Sequence, residues 1–139
     1  LISNPTFIDE KQEYDHLIVS SKGVFSIETK NFAGKLVVDK SGNWIRKKDG
    51  GEEGMKNPLQ QVRQHEKLLA SFLPRECHII SILCIANDKA VIEGEEHCPI
   101  PIVKSDLLVE FIENWKETGS ELSDDQKEDC VATIYEHMV

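Results

Sequence analysis

The stretch Glu13-Tyr14-Asp15-His16-Leu17-Ile18-Val19-Ser20-Ser21-Lys22-Gly23-Val24-Phe25-Ser26-Ile27-Glu28-Thr29-Lys30 decides how the chain folds. Two runs rich in Val, Ile, Leu and Phe flank a Ser-Ser-Lys-Gly break, the pattern of a β-hairpin. With Ser21-Lys22 as a two-residue loop, Asp15 sits directly across from Glu28; a three-residue loop would set Asp15 against Thr29 instead. Side chains on a strand alternate between faces, so Lys30 projects on the same side as Glu28. Two carboxylates and a lysine then crowd one patch of sheet. Like charges directly opposed destabilise a hairpin by up to about 1 kcal/mol, and a divalent cation bound between them removes that penalty. The patch is a candidate metal site, weighed against the plainer fact that Asp and Glu are common near strand ends.

Downstream of the hairpin, Lys35-Leu36-Val37-Val38-Asp39 and Asn43-Trp44-Ile45-Arg46-Lys47-Lys48 flank a Ser41-Gly42 turn and read as a continuing antiparallel meander, with a bulge or bend at Gly34. Asp49-Gly50-Gly51-Glu52-Glu53-Gly54 reads as a flexible exposed loop, and its glycines lack phosphate-loop spacing. Asn57 as N-cap and Pro58 at the first position open a helix that Pro74 ends. Val62, Leu68, Leu69 and Phe72 form its apolar stripe, and Gln61 and His65, four apart, share a face. The nearly continuous apolar run from Cys77 to Ala86 fits a strand buried on both faces. Short strands are expected around Ala90-Val91-Ile92 and, at a sheet edge, Pro99-Ile100-Pro101-Ile102-Val103. Ser105 or Asp106 caps a helix to about Lys116, with Leu108, Phe111, Ile112 and Trp115 inward. Ser123 caps the last helix, to about Met138, with Cys130, Val131, Ile134 and Met138 inward. Before the hairpin, a short strand is expected near Thr6-Phe7-Ile8. The fold class is α/β, bordering on α+β: a mixed central β-sheet flanked by helices, in a single domain over residues 1–139.

The 139 residues suffice to bury a real core, and 40% hydrophobic with 29% charged residues is ordinary for a soluble globular domain. Beginning at Leu1, the chain is expected to be trimmed from something longer. No apolar run reaches transmembrane length. A net charge of −9 argues against a generally nucleic-acid-binding surface, but the charge is unevenly placed. Residues 11–67 carry 11 basic against 8 acidic residues, a balance of +3; residues 76–139 carry 4 against 15, a balance of −11. The acidic half is a candidate surface for a protein partner. Cys77, Cys84, Cys98 and Cys130 form no Cys-x-x-Cys pair and lack zinc spacing, so they read as reduced, buried thiols in a reducing, cytoplasmic compartment.

Asp15, then Glu28-x-Lys30 after a turn, then Gln61 on the next helix, resembles the PD-(D/E)xK nuclease superfamily. More narrowly, Asp15-His16, Gly23-Val24-Phe25, Ile27-Glu28-Thr29-Lys30, Phe32, Gly34, Asn57-Pro58-Leu59-Gln60-Gln61 and His65 occur in the order of the nuclease-related domain (NERD) family. The resemblance covers residues 13–69 and is diffuse beyond residue 86. It implies a restriction-endonuclease-like core and phosphodiester hydrolysis, most simply of DNA, with Mg²⁺ or Mn²⁺. Carried onto this chain, Asp15 and Glu28 would be metal-binding carboxylates and the Thr29 carbonyl a further ligand. Lys30 would orient the attacking water and offset charge, and Gln61 would position a phosphate or water. The family commonly adds a Glu from a helix before the first strand, and nothing before Glu13 offers an obvious replacement. Its members stand alone in bacteria or are fused to kinase or helicase domains.

Plainer readings cover the remaining polar residues. His65 is expected to be a surface or packing histidine, and His16, on the face opposite Asp15, a structural residue or a hydrogen-bond partner. Trp44 with Arg46, Lys47 and Lys48 could stack on bases and pair phosphates, although a solvated basic strand explains the three cations as well.

Overall fold

A computed structural model describes residues 2–3, 16–116 and 119–138. The hairpin is formed by β2 (His16–Ser20) and β3 (Gly23–Lys30), with Ile2–Ser3 (β1) added outside β2. The register runs from Ser20↔Gly23 to His16↔Ile27, as the two-residue loop requires. Asp15 lies outside the described residues, as does the segment Thr6-Phe7-Ile8. Gly23 is obligatory at the hairpin's start: its φ is +135°, and a Cβ there would stand 2.5 Å from the His78 carbonyl oxygen.

β3 does not continue into the meander that the sequence suggests. Its other edge is taken by the parallel strand β7 (Ile79–Ile85), which in turn pairs in parallel with β9 (Ile102–Lys104). The five-stranded mixed sheet has the order β1-β2-β3-β7-β9. The chain leaves it at Asn31–Gly34, where Gly34 takes φ +82°, and builds a second sheet. There β4 (Lys35–Val38), β5 (Trp44–Lys48), β6 (Gly51–Met55) and β8 (Val91–Glu93) stand in the order β6-β5-β4-β8. The expected flexible loop at residues 49–54 is therefore largely β6. Gly51-Glu52-Glu53-Gly54 is a poor strand by composition, but each residue finds a ladder partner on β5, including Lys47↔Glu52 and Arg46↔Glu53.

Helix α1 (Leu59–Phe72) starts one residue later than expected, with Pro58 in the N-cap position; Asn57, just before it, accepts from the Leu59 N–H through Oδ1 at 2.9 Å. A turn of 3-10 helix at Ser105–Leu107 leads into α2 (Leu108–Asn114), and Ser123 opens α3 (Asp124–His137) with a reciprocal capping box to Gln126. Period-two alternation splits β3 between two cores. On one face Leu17, Val24, Leu68, Leu69, Cys130 and Ile134 pack under α1 and α3; on the other Phe25, Ile27, Ile80, Ile82 and Cys84 pack under α2. A third cluster, Val38, Trp44, Leu83, Ile85 and Ala90, joins the second sheet to β7. The fold class is α/β, bordering on α+β, as expected, with the strands divided between two sheets rather than gathered in one.

The reduced-thiol reading needs correction. Cys77, just before β7, and Cys130, on α3, lie in one buried cluster and are joined in a disulfide; Cys84 and Cys98 are free. Sequence spacing could not reveal this pair, which is brought together only by α3 folding across the sheet. Among the described residues no helix is long and apolar enough to cross a membrane.

Candidate active site

The face of β3 that begins apolar at Val24 becomes polar toward the strand's C-terminal end, through Ser26, Glu28 and Lys30. α1 lies across this face and supplies the opposing side chains. Glu28 is only 7% exposed, and both of its carboxylate oxygens are engaged. Oε1 stands 3.5 Å from Lys30 Nζ, and Oε2 stands 3.3 Å from Nδ1 of His65. Lys30 Nζ also donates to Gln61 Oε1 at 3.1 Å. One polar chain therefore runs His65–Glu28–Lys30–Gln61, from α1 to two neighbouring positions on one face of β3 and back to α1. It goes from buried at His65, through half-buried at Lys30, to exposed at Gln61.

The sequence dictates this local arrangement in two ways. Glu28 and Lys30 share a face because strands repeat every two residues, and Gln61 and His65 share one because helices bring i and i+4 together. A carboxylate can only accept, so the His65–Glu28 contact needs the imidazole proton on Nδ1. His65 thus departs from the expected surface or packing role: at 5% exposure it is a partner of the buried carboxylate. The four-residue spacing from Gln61 was the available signal.

Burying a carboxylate costs several kcal/mol even when it is paired, and apolar side chains of similar size are often as stable or more so. Glu28 sits opposite Leu83 in the β3–β7 ladder, between two apolar cores, where such a replacement would pack. Stability therefore does not explain its presence. Thr29 is turned differently. Lys30 O accepts from Ala86 N at 2.9 Å, so alternation directs the Thr29 carbonyl to the opposite edge, the β2 side. Ser81, buried on β7, donates to Glu66 Oε2 at 3.1 Å and ties α1 to the sheet at the residue that follows His65.

Arg46, Lys47 and Lys48 lie elsewhere, on β5 in the second sheet. Lys47 pairs with Glu52 and Lys48 with Glu53, and Arg46 Nε is buried without a hydrogen-bond partner among the described residues. Lys48 holds the Glu53 carboxyl below its ordinary range by hydrogen bond and charge. Trp44 is 2% exposed and packs beside Phe32, so it offers no ring for base stacking. His16 pairs with Ile27 and is half-buried on the opposite face of the hairpin from Glu28.

The family model of the nuclease-related domain matches residues 1–86, more than half of the chain. The chain belongs to the nuclease-related domain family. The matched segment contains β1 to β7 and α1, and so every residue of the polar chain built on Glu28. No curated protein and no solved structure matches the chain.

The metal that such chemistry calls for can be tested against the donors present. Mg²⁺ takes oxygen ligands, usually one or two carboxylates, and keeps several waters or phosphate oxygens. Glu28 and the Thr29 carbonyl are donors of that kind. Among the described residues there is no group of three or more His, Cys, Asp or Glu able to hold a metal ion.

Proposed function

We propose that this nuclease-related domain, taken as one unit over residues 1–139, is a metal-dependent nuclease that hydrolyses phosphodiester bonds, with DNA as substrate. The reading adds the PD-(D/E)xK assignment and its restriction-endonuclease-like core to the family membership. What carries it is the Glu28 carboxylate, buried at a cost and bracketed by Lys30 and His65. Asp15, Glu28 and the Thr29 carbonyl would hold Mg²⁺ or Mn²⁺. When bound, the ion supplies a Lewis acid for the phosphoryl oxygen and lowers the pKa of a bound water.

The chain's own residues do the rest. His65 holds the Glu28 carboxylate in one rotamer. Lys30, half-exposed, presents a cation where charge develops on the phosphoryl oxygens in the transition state, and its hydrogen bonds also orient the attacking water. Gln61, exposed at the rim and fixed through Lys30, positions a phosphate oxygen or that water. Arg46, Lys47 and Lys48 would contact the nucleic acid beyond the cleavage point, which requires the backbone phosphates to displace Glu52 and Glu53.

The second reading is a nucleic-acid-binding module with an incomplete site. Incubation with linear, circular and single-stranded DNA, with Mg²⁺, with Mn²⁺ and with EDTA, separates the two. Metal-dependent cleavage supports the nuclease, whereas retention of DNA without cleavage supports the module. Fusion to a further domain, and a protein partner on the acidic half, complete the proposal. So does a cytoplasmic location, against which the Cys77–Cys130 disulfide weighs, since cytosolic thiols are kept reduced. Thiol trapping in cell lysate decides that point.

A further inference from the structure

The two sheets end side by side. β8 is the last strand of one and β9 the last of the other, and between them lies a groove of about 1320 Å³. Its lining is apolar along Val91, Ile102, Leu107 and Phe111, with Glu95 and Glu110 at the rim. Val91 and Leu107 are 55% and 51% exposed, so the groove leaves large apolar side chains in water.

The edge beside it is unpaired among the described residues. Leu83 N donates to Pro101 O at 3.0 Å, which turns the Pro101 carbonyl toward β7. Alternation then turns the N–H and C=O of Ile102 outward, where they find no strand among the described residues. The lining is net negative, with Glu95, Glu96 and Glu110 against Lys104 and Lys116. Neither Glu95 nor Glu110 has an ion-pair partner among the described residues.

We infer that this groove is a docking site for an extended segment of a partner protein, basic and apolar in alternation, which adds a strand to β9. Backbone pairing would supply affinity, alternate apolar side chains would enter the groove, and the basic ones would meet Glu95 and Glu110. Nothing in this inference depends on nuclease activity, since the groove lies beyond the family-matched residues.

A fluorescein-labelled octapeptide of alternating valine and lysine is the probe. Binding is read by anisotropy, and amide exchange on the complex locates it. The expected result is binding that adds protection at the Ile102 and Lys104 amides. Methylating the peptide's ladder-forming backbone nitrogens should weaken binding by about tenfold or more, from lost hydrogen bonds. Changing both Glu95 and Glu110 to Lys should weaken it several-fold without altering the melting temperature. Absence of binding near millimolar peptide overturns the inference. So does equal binding by the methylated peptide, or protection of those amides by a DNA oligonucleotide in place of the peptide.

Discussion

Replacing His65 by Ala tests whether the buried carboxylate depends on its helix partner. The substitution removes the Nδ1 contact to Glu28 Oε2 at 3.3 Å and leaves one half-exposed cation beside a carboxylate that is 7% exposed. A lost hydrogen bond to a charged group costs about 1.5–3 kcal/mol, and the truncated ring leaves a void in a close-packed contact. The sum, about 2–4 kcal/mol, should lower the melting temperature by roughly 6–12 °C in a domain of this size. Chemical denaturation of wild type, His65→Ala, Glu28→Gln and the double variant closes a cycle that isolates the pair. A coupling of about 1–2 kcal/mol is expected, because the two side chains touch. Coupling below about 0.3 kcal/mol would refute the view that His65 holds Glu28, and with it the polar chain as a functional unit.

Other perturbations probe the frame around the site. Reducing the Cys77–Cys130 disulfide opens a loop with a sequence separation of 53, which by chain entropy should cost about 4 kcal/mol, read as a lower denaturation midpoint with dithiothreitol. Lys22 donates from the hairpin loop to the Ile112 carbonyl at 2.9 Å, at the C-terminal end of α2; Lys22→Met should destabilise by about 1 kcal/mol in thermal melts. Gly23→Ala should cost more than about 2 kcal/mol, since it combines an unfavourable φ with a clash against the His78 carbonyl. Asp39 accepts from the backbone N–H groups of Asn43 and Ser41, which hold its carboxyl below the ordinary 3.8. Its contribution is therefore complete above pH 3.8 and lost as pH falls through the lower folded value, and an NMR titration of the Asp39 carboxyl should show the depressed midpoint.

The legible parts of the chain are those where local chemistry and tertiary structure agree. The hairpin register follows from two apolar runs and a two-residue loop, and Asn57-Pro58 and Ser123 mark helix starts by their side-chain chemistry. β6 was hidden because Gly51–Gly54 has no intrinsic strand preference and takes its form from β5 across a turn. The insertion of β7 beside β3 was equally hidden, since parallel pairing over some fifty residues leaves no local mark. At the site, Glu28, Lys30 and Gln61 could be placed together by period and by family resemblance. His65 could not be assigned on spacing alone, because only the tilt of α1 decides whether that face meets the sheet or the solvent.

The central claim is that Glu28 serves phosphodiester hydrolysis and not folding. Its most direct test is the cleavage rate of DNA by wild type and Glu28→Gln at saturating Mg²⁺, with the folded state of both verified by circular dichroism. Glu28→Gln keeps the side chain's shape, so a folded variant whose cleavage falls by at least about a hundredfold is the expected result. Equal rates for the two proteins would contradict the account.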